Sequence, residues 1–141
     1  MNALTAALRR LVRERAGLRC EYCLLAEDDA YLPHEPDHVI ATKHAGATDA
    51  ANLALACFDC NRYKGSDIAS IDSHGGRLTP LFNPRTQSWR EHFQAVAGRI
   101  VPVTSVGRVT VSLLRMNLAA RVEVRDGLMA LGRWPLKAAS T

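Results

Sequence analysis

"PDHVIATKHAGATDAANLALACFDCNRYKG", residues 36–65, decides the fold. It closes on Cys57 and Cys60, and a second CxxC pair, Cys20 and Cys23, precedes it. These four are all the cysteines of the chain. Two thiolates separated by two residues reach one ion from a single tight turn. Four of them satisfy Zn²⁺ tetrahedrally and leave no open position, so the expected role is structural. In a reducing compartment the paired spacing reads as metal ligation rather than as disulfides. An iron–sulfur cluster is the minor rival. Residues 24–56 lie between the pairs, a longer insert than the roughly 15–20 residues of the commonest compact pattern. A plain zinc ribbon has no need of it, so something is housed there.

Outward from that stretch the pattern is mixed. Residues 2–16 read as an amphipathic helix with Leu4, Leu8, Leu11 and Val12 on one face and Arg9, Arg10, Arg13 and Glu14 on the other. Gly17 ends it. The arginines form either a solvated face or a phosphate-contacting patch. "CEYC" is a tight turn, His38–Ala41 a short apolar strand, Ala45–Ala50 a loop, Asn52–Cys57 a second strand, and "CNRYKG" a short helix stopped by Gly65. Ser73–Gly76 is a turn, and Asn83-Pro84 keeps its surroundings irregular. "EHFQAVAGRIVPV" folds as a hairpin about Ala97–Gly98. Val106, Val109, Leu113 and Leu114 share a helical face capped by Thr104 or Ser105, and Leu118, Val122 and Met129 mark another helix. The expectation is one α+β domain over 1–141, with its core at about 19–66 and a C-terminal extension over about 67–141.

The 141 residues carry a net charge of +4, and 48% are apolar, which favours a globular chain. Of 18 basic residues only Lys43, Lys64 and Lys137 are lysines; the rest are arginines, whose planar fork suits phosphate. That bias points weakly to nucleic acid. No apolar run approaches the ~20 residues of a membrane span, and the N-terminus lacks a signal-peptide pattern, so the cytoplasm and no membrane partner are expected.

Phosphodiester hydrolysis needs an activated water, neutralised phosphate charge and a stabilised leaving oxygen. His38 is the natural base, with an ordinary imidazole pKa of about 6.5. Asp37 and Asn61 offer hard oxygens suited to Mg²⁺ or Mn²⁺. Four cysteines closing on one ion would bring strand-borne Asp37 opposite helix-borne Asn61. Arg62 and Lys64, on the same short helix, are candidate phosphate contacts. No Gly-rich phosphate loop or serine elbow is present in the sequence.

The segment resembles the HNH endonucleases, in the subgroup with two zinc-binding CxxC knuckles. The likeness covers about Arg19–Ser66 and rests on Asp37-His38, Asn52-Leu53 and "CxxCNxxKG" in order around one cysteine frame. It implies a ββα-metal core of two strands and a helix around a divalent ion. It makes His38 the general base, Asp37 and Asn61 the metal ligands, and Asn52 the residue that orders the loop through backbone hydrogen bonds. Many relatives place a histidine two residues before the acid. Here Glu35-Pro36 separates His34 from Asp37, which puts His34, like His44, outside the expected site. "LTPLFNPRTQSWREHF" and "VGRVTVSLLRMN" resemble an extension of some bacterial members and imply no catalytic role.

The expected activity is therefore metal-dependent hydrolysis of phosphodiester bonds, with DNA as first expectation. Structural Zn²⁺ would sit at Cys20, Cys23, Cys57 and Cys60, and catalytic Mg²⁺ or Mn²⁺ at Asp37 and Asn61. The alternative is a zinc-stapled nucleic-acid-binding or adaptor module without catalysis. Oligomeric state is open; a homodimer is one way to cut both strands.

Overall fold

The computed structural model describes residues 3–136. Helix α1, Ala6–Arg15, starts where the Thr5 hydroxyl accepts from the Leu8 amide and stops at Gly17, whose φ is +62°. Ten residues are too few for a stable isolated helix. Packing holds this one: Val12 and Ala16 bury against Leu53 and Leu55, with Leu4 and Leu8 alongside. Each fully buried aliphatic side chain contributes about 2 kcal/mol. Arg15 adds a clasp, donating to the carbonyls of Ala50 (2.9 Å) and Leu53 (2.7 Å). The other arginines of α1 are partly spent on acids. Arg13 donates to both carboxylate oxygens of Glu27, and Arg9 pairs with Glu35.

Strands β1, Glu35–His38, and β2, Leu53–Ala56, pair antiparallel with Asp37 opposite Ala54 and His38 opposite Leu53. All four β2 residues are buried, because the strand is covered on both faces. Leu53 and Leu55 face α1, while Ala54 and Ala56 belong to the main core with the four cysteines. Helix α2, Phe58–Lys64, follows at once, so β1, β2 and α2 form a ββα unit.

Beyond it lie a hairpin β3, Ala69–Ile71, and β4, Leu78–Pro80; a short helix α3, Trp89–His92; a hairpin β5, Phe93–Val96, and β6, Arg99–Pro102; and helices α4, Ser105–Leu113, and α5, Ala119–Ala130. The α+β class holds: three small antiparallel sheets and five α-helices among the described residues, with a four-cysteine cluster in the core. The β5–β6 turn falls at Ala97 and Gly98, both with positive φ, as the hairpin pattern requires. Thr104, not Ser105, caps α4, accepting from the Gly107 amide.

Three expectations change. The first strand is Glu35–His38 rather than His38–Ala41, because the Asn52 side chain takes both the amide and the carbonyl of Ile40 and ends the ladder. Helix α2 begins at Phe58, before Cys60, because Cys57 is itself the cap: its sulfur accepts from the Cys60 amide. The β3–β4 hairpin was legible only as a turn, since its ends, Ile71 and Leu78, are exposed and Thr79 points inward.

That hairpin is tied to α4 by Asp72, which accepts from Arg108 Nε and Nη2, both at 2.9 Å. The Arg108 bonds hold the Asp72 carboxyl down at about 2, below its ordinary 3.8. The pair therefore stabilises the fold fully above about pH 4 and is lost as pH falls toward 2. Asp72→Asn should lower the melting temperature at pH 6, and the gap to wild type should close by pH 2 in a thermal-melt series.

Candidate active site and zinc-type knuckle

The thiols of Cys20, Cys23, Cys57 and Cys60 are all buried, and their sulfurs lie within 4.8 Å of one another. Cys23 Sγ and Cys57 Sγ stand 3.7 Å apart. Four bonds of about 2.3 Å in a tetrahedron put sulfurs at about 3.8 Å, so the donor set fits a zinc-type ion. In each knuckle the second cysteine's amide donates back to the first cysteine's sulfur at 3.4 Å. Burial pushes the Cys20 and Cys60 thiols up. Hydrogen bonds from the three neighbouring thiols bring Cys23 down.

Groups from the C-terminal half close over this cluster. Arg121 of α5 donates to Cys60 Sγ at 3.1 Å and to the carbonyls of Leu114 and Arg115. Burial opposes its charge, but Cys60, Cys23 and Cys57 outweigh that and hold it more firmly protonated than usual. The indoles of Trp89 and Trp134 donate to the carbonyls of Tyr22 and Cys23, pinning the first knuckle. A divalent ion in four thiolates leaves two net negative charges, and Arg121 offsets one. Replacing it with methionine should weaken zinc affinity by about tenfold, as loss of an outer-shell partner does. Competition with a chromophoric chelator measures it.

The candidate catalytic residues converge. Asp37, His38 and Asn61 line one cleft of about 250 Å³, with Pro36, Ala41, Thr42, Gly65 and Ser66. β1 supplies the first two and α2 the third. Asn52 sits behind the cleft as a brace. Its Oδ1 accepts from the Ile40 amide at 2.9 Å; its Nδ2 donates to the carbonyls of Ile40 (2.9 Å) and Ala47 (2.8 Å). The β1–β2 loop is thereby folded against itself. Gly46 is obligatory in it: a Cβ there would come within 1.7 Å of the Ile40 oxygen. His38 Nε2 lies 2.8 Å from Thr48 Oγ1 on the same loop. No signal in the sequence singles out Thr48; only the loop's return brings it to His38.

Asp37 is 7% exposed, and its Oδ2 lies 3.1 Å from Lys64 Nζ and 3.3 Å from the Tyr22 hydroxyl. Burial raises its pKa, and the Lys64 charge partly restores the ionised form. Lys64 corrects the sequence expectation. It is 1% exposed and also donates to the His38 carbonyl at 3.0 Å, so its ammonium is turned inward onto Asp37 and β1 rather than out to the surface. Its helical position, two turns after Cys57, put it on the buried face. Arg62 is exposed, as a phosphate contact requires. Among the described residues, the Asn61 side chain has no hydrogen-bond partner. His34 is fully buried with Nε2 on the Leu25 carbonyl (2.8 Å), a packing residue rather than a solvated one; His44 is exposed.

A larger cleft of about 900 Å³ shares no lining residue with this one. Two of its lining charges, the mostly buried Arg85 and Glu21, pair with each other. The hydrolytic candidates all lie in the smaller cleft.

Fold and site define a class: a ββα unit stapled by a four-cysteine knuckle. Residues 20–67 match the model of the family HNH endonuclease, a stretch that runs from the first knuckle through β1, β2 and α2. Over that segment, about a third of the chain, the protein is similar to this nuclease-type family, and the four-cysteine knuckle is consistent with a zinc-knuckle subgroup of it. No curated protein and no solved structure matches the chain.

Removing Lys64 leaves the Asp37 carboxylate buried without its cation. Lys64→Met should cost about 3 kcal/mol of stability, read by urea denaturation. In Asp37→Asn protein the same substitution should cost much less.

Proposed function

We propose that the chain is a metal-dependent endonuclease that hydrolyses phosphodiester bonds, with DNA as substrate. What supports this reading is the single cleft shared by Asp37, His38 and Asn61, with Asn52 bracing its loop. Asp37 keeps Oδ2 on Lys64 and has Oδ1 to offer, and the Asn61 amide is uncommitted, so both fit as oxygen ligands for Mg²⁺ or Mn²⁺. A divalent ion bound there supplies charge neutralisation at the phosphate and at the departing 3′ oxygen.

The chain's own residues do the rest. With the Nε2–H of His38 donating to Thr48 Oγ1, the Nδ1 lone pair is left to accept a proton from water. Thr48 thus holds the ring orientation. Asn52 and Gly46 hold the loop that carries Thr48. Arg62, exposed on α2, positions the backbone through phosphate, which carries no sequence information.

One observation favours a second reading. The Lys64 ammonium already neutralises Asp37. On that reading the chain is a zinc-stapled nucleic-acid-binding or adaptor module with no hydrolytic step.

Plasmid nicking in Mg²⁺ or Mn²⁺ separates the two. Wild type should nick, His38→Ala should be slower by about 10²–10⁴-fold, and Thr48→Val should fall between them. Nucleic-acid binding with no metal-stimulated nicking, unchanged by His38→Ala, would establish the second reading.

A further inference from the structure

Helix α2 turns one arc to the candidate site and continues it as a strip of aromatic and cationic side chains. At about 100° per residue, Phe58 lies beside Asn61, Arg62 follows Phe58 one turn on, and Tyr63 borders Arg62. The opposite arc holds the buried Cys60 and Lys64. The Arg62 guanidinium stands 5.3 Å from the Phe58 ring centre and 4.6 Å from that of Tyr63, and it donates to the Tyr63 hydroxyl at 2.8 Å. The guanidinium of Arg115, just after α4, stands 5.1 Å from the Tyr63 ring centre.

Phe58 is 49% exposed and joins neither apolar cluster. The core therefore does not explain it. Asp59 is the acid of this strip, and it lies 3.8 Å from both Arg62 and Arg121. Arg115 has no ion-pair partner among the described residues, so the strip keeps a positive surplus.

Resting on the nuclease reading above, we infer that this strip seats a nucleic-acid strand whose bases are unpaired next to the cut. Phosphate contact alone calls for cations, and cations alone would serve a duplex. An exposed phenyl ring beside the Arg62 guanidinium, with Tyr63 and Arg115 next to it, offers flat apolar faces instead. Those faces match nucleobase faces, which a continuous duplex keeps inside its own stack. Phe58 and the Arg62–Tyr63 pair take base faces; Arg62 and Arg115 take the flanking phosphates. Because the strip begins beside Asn61, the stacked base adjoins the scissile phosphate.

The test uses His38→Ala protein without added Mg²⁺ or Mn²⁺, so that binding is read apart from cleavage. Fluorescence anisotropy is measured with a labelled dT oligomer, a U oligomer and a blunt duplex of equal length. Phe58→Ala should weaken single-strand binding roughly fivefold or more and duplex binding less than twofold, with zinc content unchanged. Phe58→Trp should restore it. A Phe58-dependent preference for either sugar supports the inference and identifies the polymer. Equal loss on duplex and single strand, or no loss on either, overturns it. Nicking by wild type with Phe58-independent binding removes the strip and keeps the nuclease; Phe58-dependent strand binding without nicking does the reverse.

Discussion

Four buried sulfurs drawn to one point are the constraint on which the rest of the structure depends. They join the turn after α1 to the first residues of α2, and the chain between must then leave and return within that span. β1 and β2 are that excursion. Cys57 serves twice, as one of the four sulfurs and as the cap that starts α2, so the same residue sets where the helix begins and where it points. Negative charge gathered on sulfur needs a counter-charge. Arg121 supplies it from α5, sixty residues further on, which ties the C-terminal helices to the knuckle.

The candidate site inherits its geometry from this arrangement at one remove. Small Ala54 opposite Asp37 leaves room on the α2 side of the ribbon, where Lys64 and Tyr22 reach the carboxylate. Burial alone would push that carboxylate toward its neutral form; the lysine opposes it. On the other side of the cleft the loop is self-bound. Asn52 spans it, Gly46 allows its closest approach, and Thr48 meets His38. The acid is thus held by charge and the imidazole by a hydroxyl, two supports that a change in one residue would affect separately.

Much of this was legible because the groups involved sit close together in the chain or carry distinctive chemistry. Paired cysteines predict a cluster wherever they occur, and the sulfurs do converge. Asp37, His38 and Asn61 were singled out because hard oxygens and an imidazole in or beside a cysteine frame suit a divalent ion and a base, and the structure brings the three to one cleft. The ends of β1 were missed because a side chain, Asn52, replaced the neighbouring strand as Ile40's partner, and side-chain substitution leaves no mark on hydrophobic alternation. Lys64 was expected at the surface because a lysine on a short basic helix reads as a solvated or phosphate-contacting group until its ammonium is seen to point inward onto Asp37.

The sequence by itself determined the cysteine frame, the residue types available to the cleft, the hairpin at Ala97–Gly98 and most of the helices, since each follows from spacing, turn chemistry or periodicity over a few residues. Tertiary structure alone decided which cation neutralises Asp37, which hydroxyl holds His38, and that Arg121 and two tryptophans close over the knuckle. Those partners lie between ten and more than a hundred residues from the groups they serve. Their meeting depends on how separate elements pack, and local pattern carries no record of that.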